Sequence, residues 1–519
     1  MNWRWGVLCA AAAAGLLAAC SGPAAFPGGA YASQPAGTGR PAATRLALPV
    51  ATTRAPSAAD DVLADTAPAA LTAAFARTLF TAAPVVVVSG TAGPALPAAE
   101  QAARAAHAPL LLASPGTAQA VTQLAASARA LRPVAVLAEG LPAAELGQLA
   151  KRLPGIKVVG RAAALPATGT PEPLSHEAVL VQVHAGKPTA PLSAVTATAE
   201  AAGAAVVDVT GTDPRADPAA IAALARLRPD AVVAVGAQFG PAARLASRVA
   251  VAETGRQLPG GGQVLFPGHR LVALYGHPGT PGLGVLGEQD LSASITRARE
   301  MAADYKPLSS VPVVPTFEII ASVAEASPGP DGSYSYETPV SELLPWVRQA
   351  TADGLYVVLD LQPGRSSLLS QAEYYQSLLE LPDVGLALDA EWKLQPGQRP
   401  LQQIGHVDIS EVNSVVSWLA ALTARHDLPQ KLLVLHQFQL AMLPGERDLD
   451  TSHDDLSIVI HMDGQGTPGV KQETWDAVTA AAPPGVFFGW KDFLVKDHPT
   501  LTPGETMEES PTPVMISYQ

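Results

Sequence analysis

Residues 384–392 read Val-Gly-Leu-Ala-Leu-Asp-Ala-Glu-Trp, an apolar run that ends in two carboxylates and an indole. Both alternating faces of the run are apolar up to Leu388, which predicts a strand buried on both sides, as in parallel sheets. Similar runs recur along the second half of the chain, separated by helical patterns. The predicted strands cover 271–275, 311–319, 355–361, 384–389, 432–438, 456–462, 486–490 and 514–518.

Eight strands that alternate with helices over about 250 residues match the size and count of a (β/α)8 TIM-like barrel. We therefore predict an α/β fold with such a barrel over residues 263–519, after a Gly-rich break at 259–262. The connections after the fifth and seventh predicted strands are the least regular, so the barrel is expected to be distorted there.

Residues 61–262 also alternate short apolar strands with Ala-rich helices, which predicts an N-terminal Rossmann-like parallel α/β module. Leu-Arg-Pro at 131–133 leads into an apolar run, and the same three residues at 227–229 do so again, which indicates two related units. The runs at 85–90, 108–112 and 134–137 resemble the bacterial cell wall-binding repeat 2 module. That resemblance implies binding of anionic envelope polymers, while a periplasmic-binding-protein-like domain remains open.

The first twenty residues have the features of an export signal. Arg4 precedes an apolar stretch at 7–19, which is too short for a membrane span and suits a signal peptide. The sequence Leu17-Ala18-Ala19-Cys20 resembles the bacterial lipobox, which implies that Cys20 is lipidated and becomes the N-terminus. We expect 1–20 to be a signal peptide and the Pro-, Gly- and Ala-rich stretch 21–60 to be a flexible linker. The protein is then anchored by lipid to the outer face of the cell membrane.

Composition narrows the function classes. The formal net charge is −13, and no basic run of the kind that follows phosphates occurs, which argues against a nucleic-acid partner. The other cysteine, Cys9, lies in the signal stretch, so the mature chain has no disulfide and no thiol nucleophile. The expected partners are an envelope polysaccharide and the membrane. No cofactor and no metal is expected. The stretches 356–365 and 461–466 resemble actinobacterial lipoproteins that carry cell wall-binding repeats.

Polar side chains gather where the predicted barrel strands end, which is where the chemistry of such barrels lies. Asp389 and Glu391 are two residues apart, so on a strand they would share one face. Each carboxylate would then raise the pKa of the other, as a general acid at neutral pH requires. The remaining candidate binding residues at these ends are Tyr275, Glu318, Arg365, Trp392, His436, Gln437, Phe438, His461, Trp490 and Lys491.

The Asp-x-Glu ending resembles the fourth strand of barrel glycosidases such as the chitinase-like and lysozyme-like families. By that resemblance Glu391 is the proton donor and Asp389 its partner. A second carboxylate is expected from Asp360 or Asp463, and aromatic rings at the mouth would stack on sugars. Two other hypotheses stay open: a glycan-binding lipoprotein with a degenerate barrel, and a metal-dependent hydrolase built on strand-end histidines at 277, 436 and 461.

Overall fold

The computed structural model describes residues 47–91, 93–113 and 116–519. Residues 263–519, all of them described, contain a closed barrel of eight parallel strands flanked by helices, as predicted. The barrel closes because the first strand pairs with the second strand on one side and with the last strand on the other. The strands are β1 (Arg270–Gly276), β2 (Val313–Ala324), β3 (Tyr356–Leu361), β4 (Val384–Asp389), β5 (Lys431–Gln437), β6 (Leu456–Met462), β7 (Phe487–Asp492) and β8 (Met515–Tyr518).

Helices cover the outside of the barrel, and two of the connections between strands are irregular. The helices are Leu291–Tyr305, Val340–Ala352, Leu368–Tyr374, Gln376–Leu379, Ile409–Arg425, Pro468–Ala481 and Pro503–Glu508. After β5 there are only 3-10 turns among the described residues, and after β7 the helix has six residues. The two irregular connections are therefore those that the sequence indicated. A short strand, Ser335–Glu337, also pairs antiparallel with the end of β2.

The inward-facing side chains change from apolar to polar along the strands. On β5, Leu432 and Val434 are buried with the apolar cluster inside the barrel, and His436 follows two residues later on the same face. On β4 the inward series begins with Gly385, because a Cβ there would lie only 2.8 Å from the carbonyl oxygen of Leu432. The apolar inward-facing side chains fill the interior of the barrel, and the polar ones, towards the C-terminal ends of the strands, form the candidate site.

The outward-facing residues of the strands pack against the helices. Leu359 and Leu435 belong to a large apolar cluster that includes Val347 and Val416 from the surrounding helices. Because both faces of each strand are buried, the strands appear in the sequence as continuous apolar runs.

Before the barrel, eight of the described strands of residues 48–262 form two four-stranded parallel sheets with helices between them. In spatial order the first contains Leu110–Ala113, Val85–Gly90, Ala135–Glu139 and Lys157–Val159, and the second contains Asp60–Leu63, Ala231–Val235, Glu177–Gln182 and Ala205–Val209. The helices are Pro68–Leu79, Ala95–Ala106, Ala118–Ala130, Ala143–Arg152, Ala190–Ala202, Pro218–Leu227 and Ala242–Glu253. Strands 85–90 and 177–182 each pair on both sides with later strands of their own unit, so the two units do not share one sheet.

The folded region begins earlier than the expected end of the linker at residue 60. Thr52–Thr53 pairs antiparallel with Phe80–Ala82, and Asp60–Leu63 pairs with Ala231–Val235. These backbone hydrogen bonds hold the segment that composition assigned to a flexible chain. The predicted lipidation site Cys20 and the signal stretch 1–20 lie outside the described residues. Within the described part, no helix combines the length and the apolar content that crossing a bilayer requires.

An ionic cluster joins the second of these sheets to the N-terminal end of the barrel. Asp454, which lies just before β6, accepts two hydrogen bonds from the Arg248 guanidinium, both at 2.8 Å. Arg215, whose side chain is buried, donates to the same carboxylate at 2.7 Å and also to Asp213. The two guanidiniums hold the pKa of Asp454 below its usual value even though burial acts in the opposite direction.

We expect Asp454→Ala to lower the free energy of unfolding by about 1.5–3 kcal/mol, the usual range for hydrogen bonds to charged groups. The loss should stay in that range because Asp213 still pairs with Arg215 and Arg248. Urea titration followed by tryptophan fluorescence measures it, with the exposed Asp476→Ala as the matched control. A loss no larger than that of the control would show that the cluster does not hold the two parts together.

Candidate active site

Every barrel strand contributes one polar side chain to a common layer at the upper end of the barrel. Contacts across the axis connect most of this layer, which fixes the direction in which each side chain points. In strand order the members are Tyr275, Glu318, Asp360, Asp389, His436, His461, Lys491 and Ser517. The parallel strands therefore gather, around one axis, groups that are far apart in the sequence.

His436 lies at the centre of the layer and contacts two carboxylates. Its Nε2 is 2.8 Å from an oxygen of Glu318, and its Nδ1 is 3.4 Å from an oxygen of Asp463. Burial alone would lower the pKa of His436, but Glu318 and Asp463 outweigh it and hold the pKa well above 6.5. The raised pKa favours the imidazolium form, in which Nε2–H donates to Glu318.

Asp360 is fully buried beside this pair. The Tyr275 hydroxyl donates to it at 2.8 Å, and its other oxygen lies 3.9 Å from His436 Nε2. Burial raises the pKa of Asp360 to about 6, and the His436 charge limits the rise. The Lys491 ammonium covers the Tyr275 ring at 3.5 Å from its centroid, which places a cation over the layer.

A cavity of about 460 Å³ opens above the layer at the mouth of the barrel. We call it the barrel cavity. Asp389 and Glu391 line it from the end of β4 and the turn that follows, Asp463 lines it from the end of β6, and Lys491 and Lys496 supply positive charge. Its other lining residues include Tyr275, Gln362, Trp392, Phe438 and Phe493. Three carboxyl groups, two ammonium groups and several rings therefore face one space that is large enough for a small ligand.

Glu391 reaches this cavity by a different route from the one that the sequence indicated. The strand ends at Asp389, and Glu391 lies on a 3-10 turn over Ala390–Trp392. Gly405 fixes this turn: its N–H donates to the Glu391 carbonyl at 2.7 Å, and a Cβ there would lie within 2.6 Å of the same oxygen. The two carboxyl groups share the cavity because of this turn and not because of strand alternation.

The environment of Glu391 suits a proton donor. Burial and the nearby Asp463 raise the pKa of Glu391 to about 7, against the opposing charges of Lys491 and His436. Burial and the charge of Glu391 also raise the pKa of Asp389 well above its usual value. One oxygen of Asp389 is buried without a hydrogen-bond partner among the described residues. Such a group is available to a bound ligand.

The structure places the remaining predicted site residues in three groups. Tyr275, Trp392, Phe438 and Lys491 line the barrel cavity. Glu318, Asp360, His436 and His461 lie fully buried in the polar layer below it. Trp490, Arg365 and Gln437 are outside both the cavity and the layer.

The three residues outside the site have other partners. Trp490 faces outward and packs against Trp475 at 5.5 Å, because Gly489 and Lys491 occupy the inward positions of β7. Arg365 is exposed and covers the Tyr334 ring at 4.6 Å. Gln437 follows the inward His436, so it faces outward and donates to Glu446 at 2.9 Å. We therefore withdraw these three residues from the candidate substrate-binding set.

Ser517 and Lys496 belong to the site although sequence reasoning did not select them. Ser517 lies 3.1 Å from His461 Nε2, whereas the neighbouring Tyr518 faces outward and bonds to Tyr305. The available signal in the sequence was that Ser517, a small polar residue, stands between the apolar Ile516 and the aromatic Tyr518. Lys496 comes from the loop after β7, for which the sequence offers no periodic pattern.

The histidine arrangement does not match the metal-hydrolase alternative. His277 bonds to Thr338 at 3.1 Å and is not part of the polar layer. His436 Nε2 is already engaged by the Glu318 carboxylate at 2.8 Å. Among the residues that the structure describes, side chains of the metal-binding types nowhere form a group of three or more suited to an ion.

Comparison of the chain with protein-family models, with curated proteins and with solved structures found no match. The chemistry of the site therefore has to be inferred from its own geometry.

Proposed function

We propose that the protein is a glycoside hydrolase that acts on cell-envelope or extracellular glycans, with Glu391 as the general acid. The observation that carries the proposal is the position of Glu391: its carboxyl group lines the barrel cavity, beside two further carboxyl groups, with a pKa of about 7. A general acid works best when its pKa is close to the working pH, and glycosidases pair such an acid with a second carboxylate.

The reaction would use the groups in the following roles. Glu391 gives its proton to the glycosidic oxygen while the bond from that oxygen to the anomeric carbon breaks. Water then forms the new bond to the anomeric carbon and gives its proton to the Glu391 carboxylate, which restores the acid. Positive charge that develops on the sugar ring would lie beside the Asp463 carboxylate. Asp389, next to Glu391, has one buried oxygen without a hydrogen-bond partner among the described residues and is suited to bind a hydroxyl group of the substrate. Trp392 and Phe438 offer apolar faces for the sugar rings.

His436 would act below the cavity as a positioning residue. It holds the Asp463 side chain from the buried side at 3.4 Å, and its charge is balanced by Glu318 at 2.8 Å. A substrate cannot reach His436 itself, since its side chain is fully buried. Its proposed role is therefore to orient Asp463.

We further propose that lipidation of Cys20 anchors the protein at the extracytoplasmic face of the membrane. The two parallel sheets before the barrel would then be Rossmann-like units that bind cell-wall polymer and bring the barrel to its substrate. This part of the proposal depends on the lipobox and repeat resemblances. A mass spectrum of the membrane-extracted protein tests the first of them, since the N-terminal cysteine should carry the added mass of a diacylglyceryl group.

The test of the proposed activity is the release of reducing ends from purified peptidoglycan strands, α-glucan, β-glucan and galactan. On the glycan that reacts, we expect kcat/KM to fall as pH rises through about 7, because Glu391 must be protonated to act and its pKa is about 7. Activity that increases through this pH range would contradict an acid role for Glu391. Binding to a glycan without any release of reducing ends would favour a non-catalytic lectin-like protein.

A further inference from the structure

A second cavity, also of about 460 Å³, adjoins the barrel cavity at Glu391 and Trp392, which line both. We call it the loop cavity, because its other lining residues come from the chain between β4 and the helix Ile409–Arg425. This segment includes Leu401 and Ile404. The proposed acid therefore stands at the junction of two spaces.

The loop cavity is fixed relative to Glu391 by contacts on both sides. At the start of the loop, Lys393 donates to Glu411 at 2.7 Å, and the Leu394 N–H donates to Gly364 at 2.8 Å. At its other end the Gly405 N–H bonds to the Glu391 carbonyl. These contacts attach the loop to the barrel and to the turn that carries the acid.

The loop cavity exposes apolar side chains that a folded protein usually buries. Leu401 is 84% exposed and Ile404 is 43% exposed. The backbone of Leu401 has a φ of +63°, in the left-handed region that is costly for a leucine. Strain of this kind occurs most often at functional sites, where the rest of the structure maintains it. An exposed apolar surface that continues a proposed active site fits a ligand better than it fits water.

The two cavities differ in charge. The barrel cavity contains Asp389 and Asp463 in addition to the acid, whereas Glu391 is the one charged residue that lines the loop cavity among the described residues. The remaining polar groups of the loop cavity are amides, from Gln402 and Gln403. In glycoside hydrolysis the positive charge develops on the sugar that keeps the anomeric carbon, and the leaving sugar stays close to neutral.

We propose that the loop cavity binds the leaving sugar of the glycan, while the barrel cavity binds the sugar whose anomeric carbon reacts. This inference depends on the proposed hydrolase function and specifies its substrate class. The substrate is an oligosaccharide or polysaccharide that extends on both sides of the bond that breaks, and not a single sugar attached to a small group.

The test compares two substrates that differ only in the leaving group. One is an oligosaccharide prepared from the glycan that reacts, and the other is the fluoride of the sugar that becomes its reducing end. Fluoride leaves without a proton and does not extend into the loop cavity. In the double variant Leu401→Ser/Ile404→Ser we expect kcat/KM to fall about tenfold or more on the oligosaccharide and to stay unchanged on the fluoride.

Leu308→Ser is the matched control, since Leu308 is 44% exposed and lines neither cavity. Retained activity on the fluoride also shows that the double variant is folded. Equal activity of wild type and double variant on the oligosaccharide would overturn the role of the loop cavity and leave the hydrolase intact. If wild-type protein hydrolyses neither substrate, the proposed function itself fails, and the loop cavity loses its role with it.

Discussion

Glu391→Gln is expected to lower kcat/KM on an unactivated glycan by about 10²–10⁴-fold, the usual contribution of a general acid. Glutamine keeps the size of the side chain and removes the proton that the leaving oxygen needs. The fold should be unaffected, since among the described residues no side-chain hydrogen bond of Glu391 is present for the substitution to break. Initial rates of reducing-end release, measured below pH 7 where wild-type Glu391 is protonated, give the ratio.

A proton donor can be distinguished from a merely structural glutamate by the leaving group. Glycosyl fluorides and dinitrophenyl glycosides need little or no acid assistance, so Glu391→Gln should lose far less activity on them than on the glycan. On these substrates the fall in wild-type activity above pH 7 should also disappear. The exposed Glu473→Gln is the charge-matched control. Equal losses on both substrate types would exclude the acid role and point to damage of the cavity.

The barrel could be predicted from the sequence because its strands are covered on both faces. Such strands appear as uninterrupted apolar runs, and the polar residue after each run marks the end where the site lies. Because both faces of these strands are apolar, the sequence does not show which alternate residues face the barrel axis. At the end of β7 and β8 the conspicuous aromatic residues, Trp490 and Tyr518, face outward, while Lys491 and Ser517 face inward.

Inward-facing glycines indicate which alternate residues of a strand face the barrel axis. A Cβ at Gly489 would lie 2.5 Å from the His461 ring, so Gly489 faces the axis and Lys491, two residues later, must do so as well. Gly385 indicates Asp389 on β4 in the same way. The approach of Glu391 could not be derived from strand periodicity, because it depends on a 3-10 turn and on a distant glycine at 405.

His436→Leu is expected to lower the free energy of unfolding by about 3–5 kcal/mol, the range for removing one partner of a buried ion pair. The side chains of His436 and Glu318 are both fully buried, 2.8 Å apart, so the substitution leaves a carboxylate without its counter-charge. Chemical denaturation measures the loss. His426→Leu, at a half-exposed pair with Glu380, should cost under about 1 kcal/mol and is the matched control.

The double variant Glu318→Leu/His436→Leu separates the pair from the site around it. Removing both charges eliminates the uncompensated carboxylate, so the double variant should be more stable than His436→Leu alone. A double variant that is less stable than His436→Leu would show that the stability comes from packing and not from the charges. Such a result would also weaken the proposed role of His436, because an uncharged side chain would then support the cavity equally well.

The pH dependence of the same variant tests the charge directly. The folded-state pKa of His436 is raised above 6.5, so its stabilising contribution is complete below the unfolded value and is lost as pH rises through the folded value. The difference in stability between wild type and Glu318→Leu/His436→Leu should therefore be larger at about pH 6 than at about pH 10. A difference that does not change with pH would mean that His436 is neutral in the folded protein. Asp463 would then lack its cationic support, and the hydrolase proposal would have to assign the stabilising carboxylate elsewhere.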